Sequence, residues 1–264
     1  MMTELTDSTA PSVKAVCKFL SEYAAALLGC GATCIRIEKN VARMADKWHT
    51  QVQMTIMPRH IHITVWTKDK LHSYSAIECV RNRTISFEIN SRLSRLSWAV
   101  ADGRCDFSGA VNELDSCAKT RPYNEWLVLG LVSLANASFC RLFGGDVAAM
   151  LIVCVCTLFG YRLKQVLLSC KTDVRVVFLC SAFFSSLIGT AGYVPGFHTD
   201  TPDIALATSV LYLIPGIPYI NSVHDLIDGH YIMAFCRLAD AAILTGCLSV
   251  GFCGGLILMG IEWF

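Results

Sequence analysis

The sequence predicts an α+β N-terminal domain followed by an all-α membrane bundle of five spans, one of which is a broken helix. Three observations predict this. Charge is unevenly spread: residues 1–120 hold 15 of the 22 Lys and Arg and 12 of the 21 Asp and Glu. Period-two alternation of apolar and polar residues is confined to the first half, between stretches of helical period. Beyond residue 125 the chain consists largely of apolar runs near spanning length. Hydrophobic residues make up 54% of the whole and charged residues 16%, against about 25% charged in a typical soluble domain. The net charge of +1 and the lack of a basic patch with interleaved aromatics give no nucleic-acid partner. The expected partition is a disordered tail over 1–10, a cytoplasmic α+β domain over 11–121 and a transmembrane helical domain over 122–264.

Pro11 precedes an amphipathic helix to about Leu28, with Val16, Phe19, Tyr23 and Leu27 on one face. Gly29 and Gly31 break it. A second helix runs from about Thr33 to Trp48 with Ile37, Val41, Met44 and Trp48 as its stripe. Val52, Met54 and Ile56 then alternate with polar residues, as do Ile61, Ile63 and Val65, and Met57-Pro58-Arg59-His60 makes the turn of a hairpin. Two weaker strands cover Ser73–Val80 and Arg83–Phe87. Ile89, Leu93, Leu96 and Val100 restore the helical period up to Gly103, and Phe107, Val111, Leu114 and Ala118 mark one more helix. The order ααββββαα covers one sheet face with helices. His60 and His62 share the opposite, solvated face; without a third ligand nearby they do not read as a metal site.

Five apolar segments follow: Trp126–Leu142, Val147–Leu163, Val174–Val194, Ile204–Val223 and Ala241–Ile261. Lys119 and Arg121 precede the first, and Arg162, Lys164, Lys171 and Arg175 fill the loop between the second and third. The positive-inside rule puts that loop and the N-terminal domain in the cytoplasm. Pro195–Pro202 carries Asp200 and no base, so it faces outward, and five spans leave the C-terminus outside, with Trp263 and Phe264 at the interface. Residues 1–12 hold Glu4 and Asp7 and no base, which does not fit a signal peptide. Ser181, Ser185 and Gly189, and separately Gly251 and Gly255, repeat at four-residue spacing that lets helices approach closely. Gly144-Gly145-Asp146 before an apolar run reads as a helix cap. None of the 14 cysteines forms a C-x-x-C pair, and eight lie in or beside apolar runs, where Cys acts as a small hydrophobe. No cofactor and no metal is called for.

The stretch from Ile204 to Asp240 organises the membrane half. Its apolar run reaches only Ile214 before Pro215-Gly216-Ile217-Pro218 interrupts it. Eleven residues cannot cross a bilayer, which takes about 20. The prolines remove two backbone donors, and irregular backbone at membrane depth survives only where protein or water covers it. A broken helix lining a cavity is therefore expected. Pro218 suits the first turn of a new helix. Asn221, His224, Asp225 and Asp228, at i, i+3, i+4 and i+7, are expected on one face, with Gly229 closing the helix as its C′ residue. Arg237 and Asp240 follow at the entrance to the last run.

Three places carry a family resemblance: Gly31-Ala-Thr-Cys-Ile-Arg-Ile-Glu38, Phe143-Gly-Gly-Asp146, and Ile214-Pro-Gly-Ile-Pro-Tyr-Ile-Asn221 continuing through Asp225-Leu-Ile-Asp-Gly-His230 to Arg237. With the order of a cytoplasmic α+β domain and then five spans, the chain resembles the threonine/serine exporter (ThrE-type) family in its N-terminal subunit form, over about residues 12–260. The resemblance implies a subunit of a secondary-active exporter of small hydrophilic metabolites in the inner membrane, with threonine and serine or a dicarboxylate as substrate and proton antiport as the drive. Full-length members carry more spans than five. The likeness thus implies a second small membrane subunit of the same family, or further copies of this chain, beside the lipid bilayer as partners.

Within that resemblance Asp225 and Asp228 are the expected proton carriers, since desolvation raises a carboxyl near the membrane interior. His224 and His230 titrate in the useful range, and Asp240 joins them. Pro215, Gly216, Pro218 and Asn221 are expected around the polar groups of the substrate. Arg237 is expected to meet its carboxylate or to pair with Asp240. Two other readings stand beside this one. The first is a membrane-embedded metal-dependent enzyme using His224, Asp225, Asp228 and His230, although no hydrolase pattern appears. The second is a non-transporting regulatory or scaffold subunit.

Overall fold

Ser12 opens the first helix by accepting a hydrogen bond from the Ala15 amide at 3.2 Å. Helix α1 (Val13–Gly29) buries Val16, Phe19, Tyr23 and Leu27. This is a computed structural model, and it describes residues 11–80, 85–119, 123–194 and 199–261. They divide into two compact units, one within Met1–Arg121 together with Pro218–Leu238, the other within Pro122–Ile217 together with Ala239–Phe264.

In the first unit, α1 closes with Gly31 at φ +86°. The Gly31 amide donates to Leu28 O and the Ala32 amide to Leu27 O, both at 3.1 Å, the Schellman pattern that wants glycine at C′. Helix α2 (Cys34–Lys47) buries Ile37, Val41 and Met44 completely. Trp48 follows, set edge-on against Phe19 and Phe107 at 5.4 and 5.2 Å. Thr33 stands at the N-cap of α2, but its hydroxyl makes no capping bond. First-turn amides of α2 therefore need another acceptor.

Strands β1 (Thr50–Ile56), β2 (His60–Thr67) and β3 (Ser73–Cys79) form an antiparallel sheet in that order. Val52 pairs with Val65, Met54 with Ile63 and Ile56 with Ile61, so the two alternating runs meet in register. Ile61, Ile63 and Val65 are fully buried, on the face that α1 covers. His60 and His62 are exposed on the other face. The sheet has three strands among the described residues, not four. Arg83 and Thr84 of the fourth expected strand lie outside the described residues, Ile85 and Ser86 are not extended in a strand, and Phe87 begins a helix. That helix, α3 (Phe87–Ala101), and α4 (Phe107–Ala118) start at the side-chain caps Ser86 and Asp106.

The second unit is helical. It contains α5 (Glu125–Leu142), α6 (Val147–Ser169), α7 (Val174–Gly189) running into a 3₁₀ turn at Thr190–Tyr193, and α8 (Pro202–Thr208). A 3₁₀ turn at Leu211–Leu213 precedes the break at Ile214 and Pro215. Helix α9 (Gly216–Ile227) resumes there, and α10 spans Tyr231–Met259. Among the described residues four helical stretches are long and apolar enough to cross a membrane: Glu125–Leu142, Val147–Ser169, Val174–Tyr193 and Tyr231–Met259. A fifth crossing exists only if the bent pair Pro202–Leu213 and Gly216–Ile227 counts as one span.

Two boundaries differ from the expected ones. Helix α6 continues to Ser169, so Arg162 and Lys164 ride on it rather than filling a loop. Helix α10 starts at Tyr231, so Arg237 and Asp240 are inside it. Long basic side chains reach outward from a helix end while their stems stay in apolar surroundings, so a charge need not end a span. A Cβ on Gly251 would collide with the Leu179 carbonyl of α7, and one on Gly255 with the Ser186 hydroxyl. The small residues of α10 thus let it lie directly against α7. Asp146 caps α6, accepting from the Ala149 amide at 2.7 Å. Arg121, residues 195–198, Trp263 and Phe264 lie outside the described residues.

Candidate functional site

The Schellman turn after α1 leaves the Gly31 and Ala32 carbonyls and the first amide of α2 without local partners. Three side chains from Pro218–Leu238 supply them. Asn221 Nδ2 donates to Gly31 O at 2.9 Å. Arg237 Nη2 donates to Ala32 O at 2.7 Å. The Cys34 amide donates to Asp225 Oδ1 at 2.9 Å. Asp225 thus serves α2 as an N-cap from 191 residues away, where the helix dipole favours a carboxylate. Its other oxygen, Oδ2, lies 3.3 Å from Arg237 Nη1. Asp225 is fully buried and the Arg237 side chain is 14% exposed. That contact is an ion pair without hydrogen-bond alignment, so Oδ2 and Nη1 each keep an unused hydrogen-bonding valence. Burial, and next the Asp225 carboxylate, push the Cys34 thiol up to about 12, so it stays protonated. His230 Nε2 lies 3.5 Å from Glu38 Oε2.

The donor segment is a helical hairpin. Gly229 at φ +83° passes its amide to Leu226 O at 3.2 Å, and the His230 amide reaches Asp225 O at 2.8 Å. Gly229 is therefore the C′ residue of α9. Ser222 Oγ donates to Ala234 O at 2.8 Å, tying α9 to the start of α10. Ile220, Val223, Ile227, Ile232 and Phe235 are exposed. The hairpin thus buries Ser222 and Asp225 while leaving a row of apolar side chains exposed.

The shared face expected for Asn221, His224, Asp225 and Asp228 does not form. Asn221 and Asp225 turn toward the α1–α2 turn, whereas His224 and Asp228 are exposed. Helix α9 ends at Ile227, so Asp228 is already in its cap. Arg237 pairs with Asp225, and Asp240 is exposed on α10. Pro215 is buried at the break, Gly216 is the first residue of α9, and Pro218 sits in its first turn. Sequence reasoning missed Gly31, Ala32, Cys34 and Glu38 as members of this site. The signal is in the sequence, since Gly31–Glu38 is one of the three places that carry the family resemblance. Among the described residues no group of three His, Cys, Asp or Glu is placed to hold a metal ion.

The two motifs that meet here, Gly31–Glu38 and Asn221–Arg237, lie inside one family match. The family described as "Putative threonine/serine exporter" (ThrE) matches residues 18–259. The chain belongs to the ThrE family. Among curated relatives of this ThrE chain, the "Probable succinate transporter subunit YjjP" of Escherichia coli is 32% identical over 158 residues, 60% of this chain and 61% of that one. The protein of the same name from Klebsiella aerogenes is 31% identical over 141 residues, 53% of this chain and 54% of that one. A "Probable threonine/serine exporter" of Mycobacterium tuberculosis is 24% identical over 173 residues, 65% of this chain but 32% of that one. The matched regions thus span less than two thirds of each relative. No solved structure matches. Family and apolar helices together make this ThrE chain a multi-pass membrane protein.

Proposed function

We propose that this chain is a subunit of a secondary-active exporter of small hydrophilic metabolites, coupled to proton antiport. The observation that carries the reading is the buried Asp225–Arg237 pair with its two unused valences, set in a family of exporters. A proton taken up on Asp225 Oδ2 removes the negative partner of Arg237 and weakens the cap on α2. Arg237 is then free to meet the carboxylate of a cargo molecule, with Asn221 and Pro218 for its other polar groups. His224, Asp228 and His230 relay protons between this pair and water. Relatives named a probable succinate transporter subunit and a probable threonine/serine exporter support threonine and serine, or a dicarboxylate such as succinate, as the proposed cargo. The N-terminal domain lies in the cytoplasm, the C-terminus lies outside the inner membrane, and a second small membrane subunit or another copy of the chain completes the transporter.

Native cells with and without the chain, preloaded with labelled succinate, L-threonine or L-serine, test this. Loss of the chain should slow uncoupler-sensitive efflux of at least one of the three. Equal efflux of all three would end the exporter reading.

One observation favours the regulatory-subunit reading: Asn221, Asp225 and Arg237 all bond the N-terminal domain's backbone. Alanine at both Asp225 and Asp228 with export intact would decide for it.

A further inference from the structure

The helical unit has a buried polar column of its own. Asn136 Nδ2 on α5 donates to Thr157 Oγ1 on α6 at 2.7 Å and to Thr208 O at 3.1 Å, where α8 ends. Cys156 Sγ donates to Ser185 O on α7 at 3.1 Å and lies 3.7 Å from Ser209 O. The Ser185 and Tyr212 hydroxyls share a hydrogen bond of 2.8 Å, Tyr212 coming from the 3₁₀ turn before the break. Gly160 makes this possible, since any Cβ there would collide with both hydroxyls. The Tyr212 ring stands edge-on to Tyr161 at 5.9 Å. Lys164, one turn further along α6, places its ammonium 5.5 Å from the Tyr161 ring and 5.0 Å from the Phe178 ring.

Two atoms in this column lack the partners expected of them. Arg162, two residues before Lys164, pairs with Glu125 at 3.2 Å, but among the described residues no carboxylate lies within 4 Å of Lys164. Ser181 Oγ, one turn from Ser185 on α7 and fully buried, makes no hydrogen bond. Polar side chains inside a membrane bundle are costly and mark pathways, and an ammonium set over aromatic faces with no carboxylate partner has room for an anion. From Thr157 to Lys164 the column extends about 10 Å along α6.

We propose that this column is a carboxylate-binding seat, in which Lys164 holds the anionic end of a small metabolite and the hydroxyls of Tyr212, Ser185 and Ser181 its other polar groups. Succinate, threonine and serine share that carboxylate, so the seat rests on the exporter reading and narrows its cargo to small organic acids. It is built from α6, α7 and the 3₁₀ turn at Leu211–Leu213.

The test is equilibrium binding of labelled succinate, L-threonine and L-serine to the full chain in nanodiscs, with the neutral dimethyl ester of succinate as competitor. Lys164→Gln should weaken binding of the preferred acid about tenfold or more, the range of a charge-assisted hydrogen bond. Lys164→Arg should restore most of it, Tyr212→Phe should give an intermediate loss, and the ester should not compete. Unchanged affinity in Lys164→Gln, or no saturable binding of any probe by the wild-type chain, overturns the seat. Efflux from native cells is read separately. Efflux that persists with unchanged KM in Lys164→Gln removes the seat and leaves the exporter reading standing, whereas equal efflux with and without the chain removes the exporter reading itself.

Discussion

Replacing Asp225 separates the structural and functional roles of the pair. Asp225→Ala deletes the acceptor for the Cys34 amide and leaves Arg237 buried with no counter-charge. Breaking a buried ion pair on one side costs about 3–5 kcal/mol. Asp225→Asn keeps an acceptor for the amide and loses only the charge, so its cost is smaller, about 1–3 kcal/mol. Arg237→Met strands the carboxylate but leaves its bond to the Cys34 amide. The double change Asp225→Asn with Arg237→Met should therefore cost less than the two singles summed, with a coupling of about 1–3 kcal/mol. Amide hydrogen exchange over Gly31–Glu38 in the detergent-solubilised chain reads this locally. Each 1.4 kcal/mol is about tenfold in the opening equilibrium, so Asp225→Ala should speed exchange there by about a hundredfold or more. Exchange within twofold of wild type, or strictly additive single and double effects, would refute the clamp as described.

Gly31→Ala should destabilise the first unit by about 1–2 kcal/mol, because a left-handed backbone is strained with a Cβ and that Cβ would press on Ile85 at 3.2 Å; denaturant unfolding followed by tryptophan fluorescence checks it. Gly160→Ala should push the Tyr212 and Ser185 hydroxyls apart and abolish export, whereas Gly130→Ala, which meets nothing within 4 Å, should leave export at wild-type rate in the same efflux assay. The Asp146 carboxyl is held at about 2, chiefly by the Thr199 hydroxyl and then the Ala149 amide. A carboxyl held below its usual 3.8 stabilises above that value and loses the effect as pH falls through about 2. The segment around Thr199–Thr201 should thus resist pepsin at pH 4 and be cut below pH 2, and Asp146→Asn should be cut at both.

Elements that depend on neighbouring residues were legible. The stripes of α1 and α2, the pairing of Val52 with Val65 and Ile56 with Ile61, the break at Pro215 and the C′ role of Gly229 all follow from local period and turn chemistry. The meeting of Gly31–Cys34 with Asn221–Arg237 joins residues about 190 apart, and no periodicity carries that information. Helical spacing put Asp228 with Asp225, yet α9 stops one residue earlier, so the shared face ended with the helix. The charges of Arg162 and Lys164 looked like a loop because charge ends a span on average, not at each residue. Ser185 read as a packing residue; its hydroxyl gains meaning only beside Tyr212.

The most direct measurement is proton movement recorded together with cargo efflux in vesicles from native cells. The account predicts that addition of cargo drives proton flux in the opposite direction. In Asp225→Asn vesicles, with the protein folded and present at equal level, that flux should vanish. Cargo transport at the wild-type rate in Asp225→Asn, or transport with no accompanying proton flux, would contradict it.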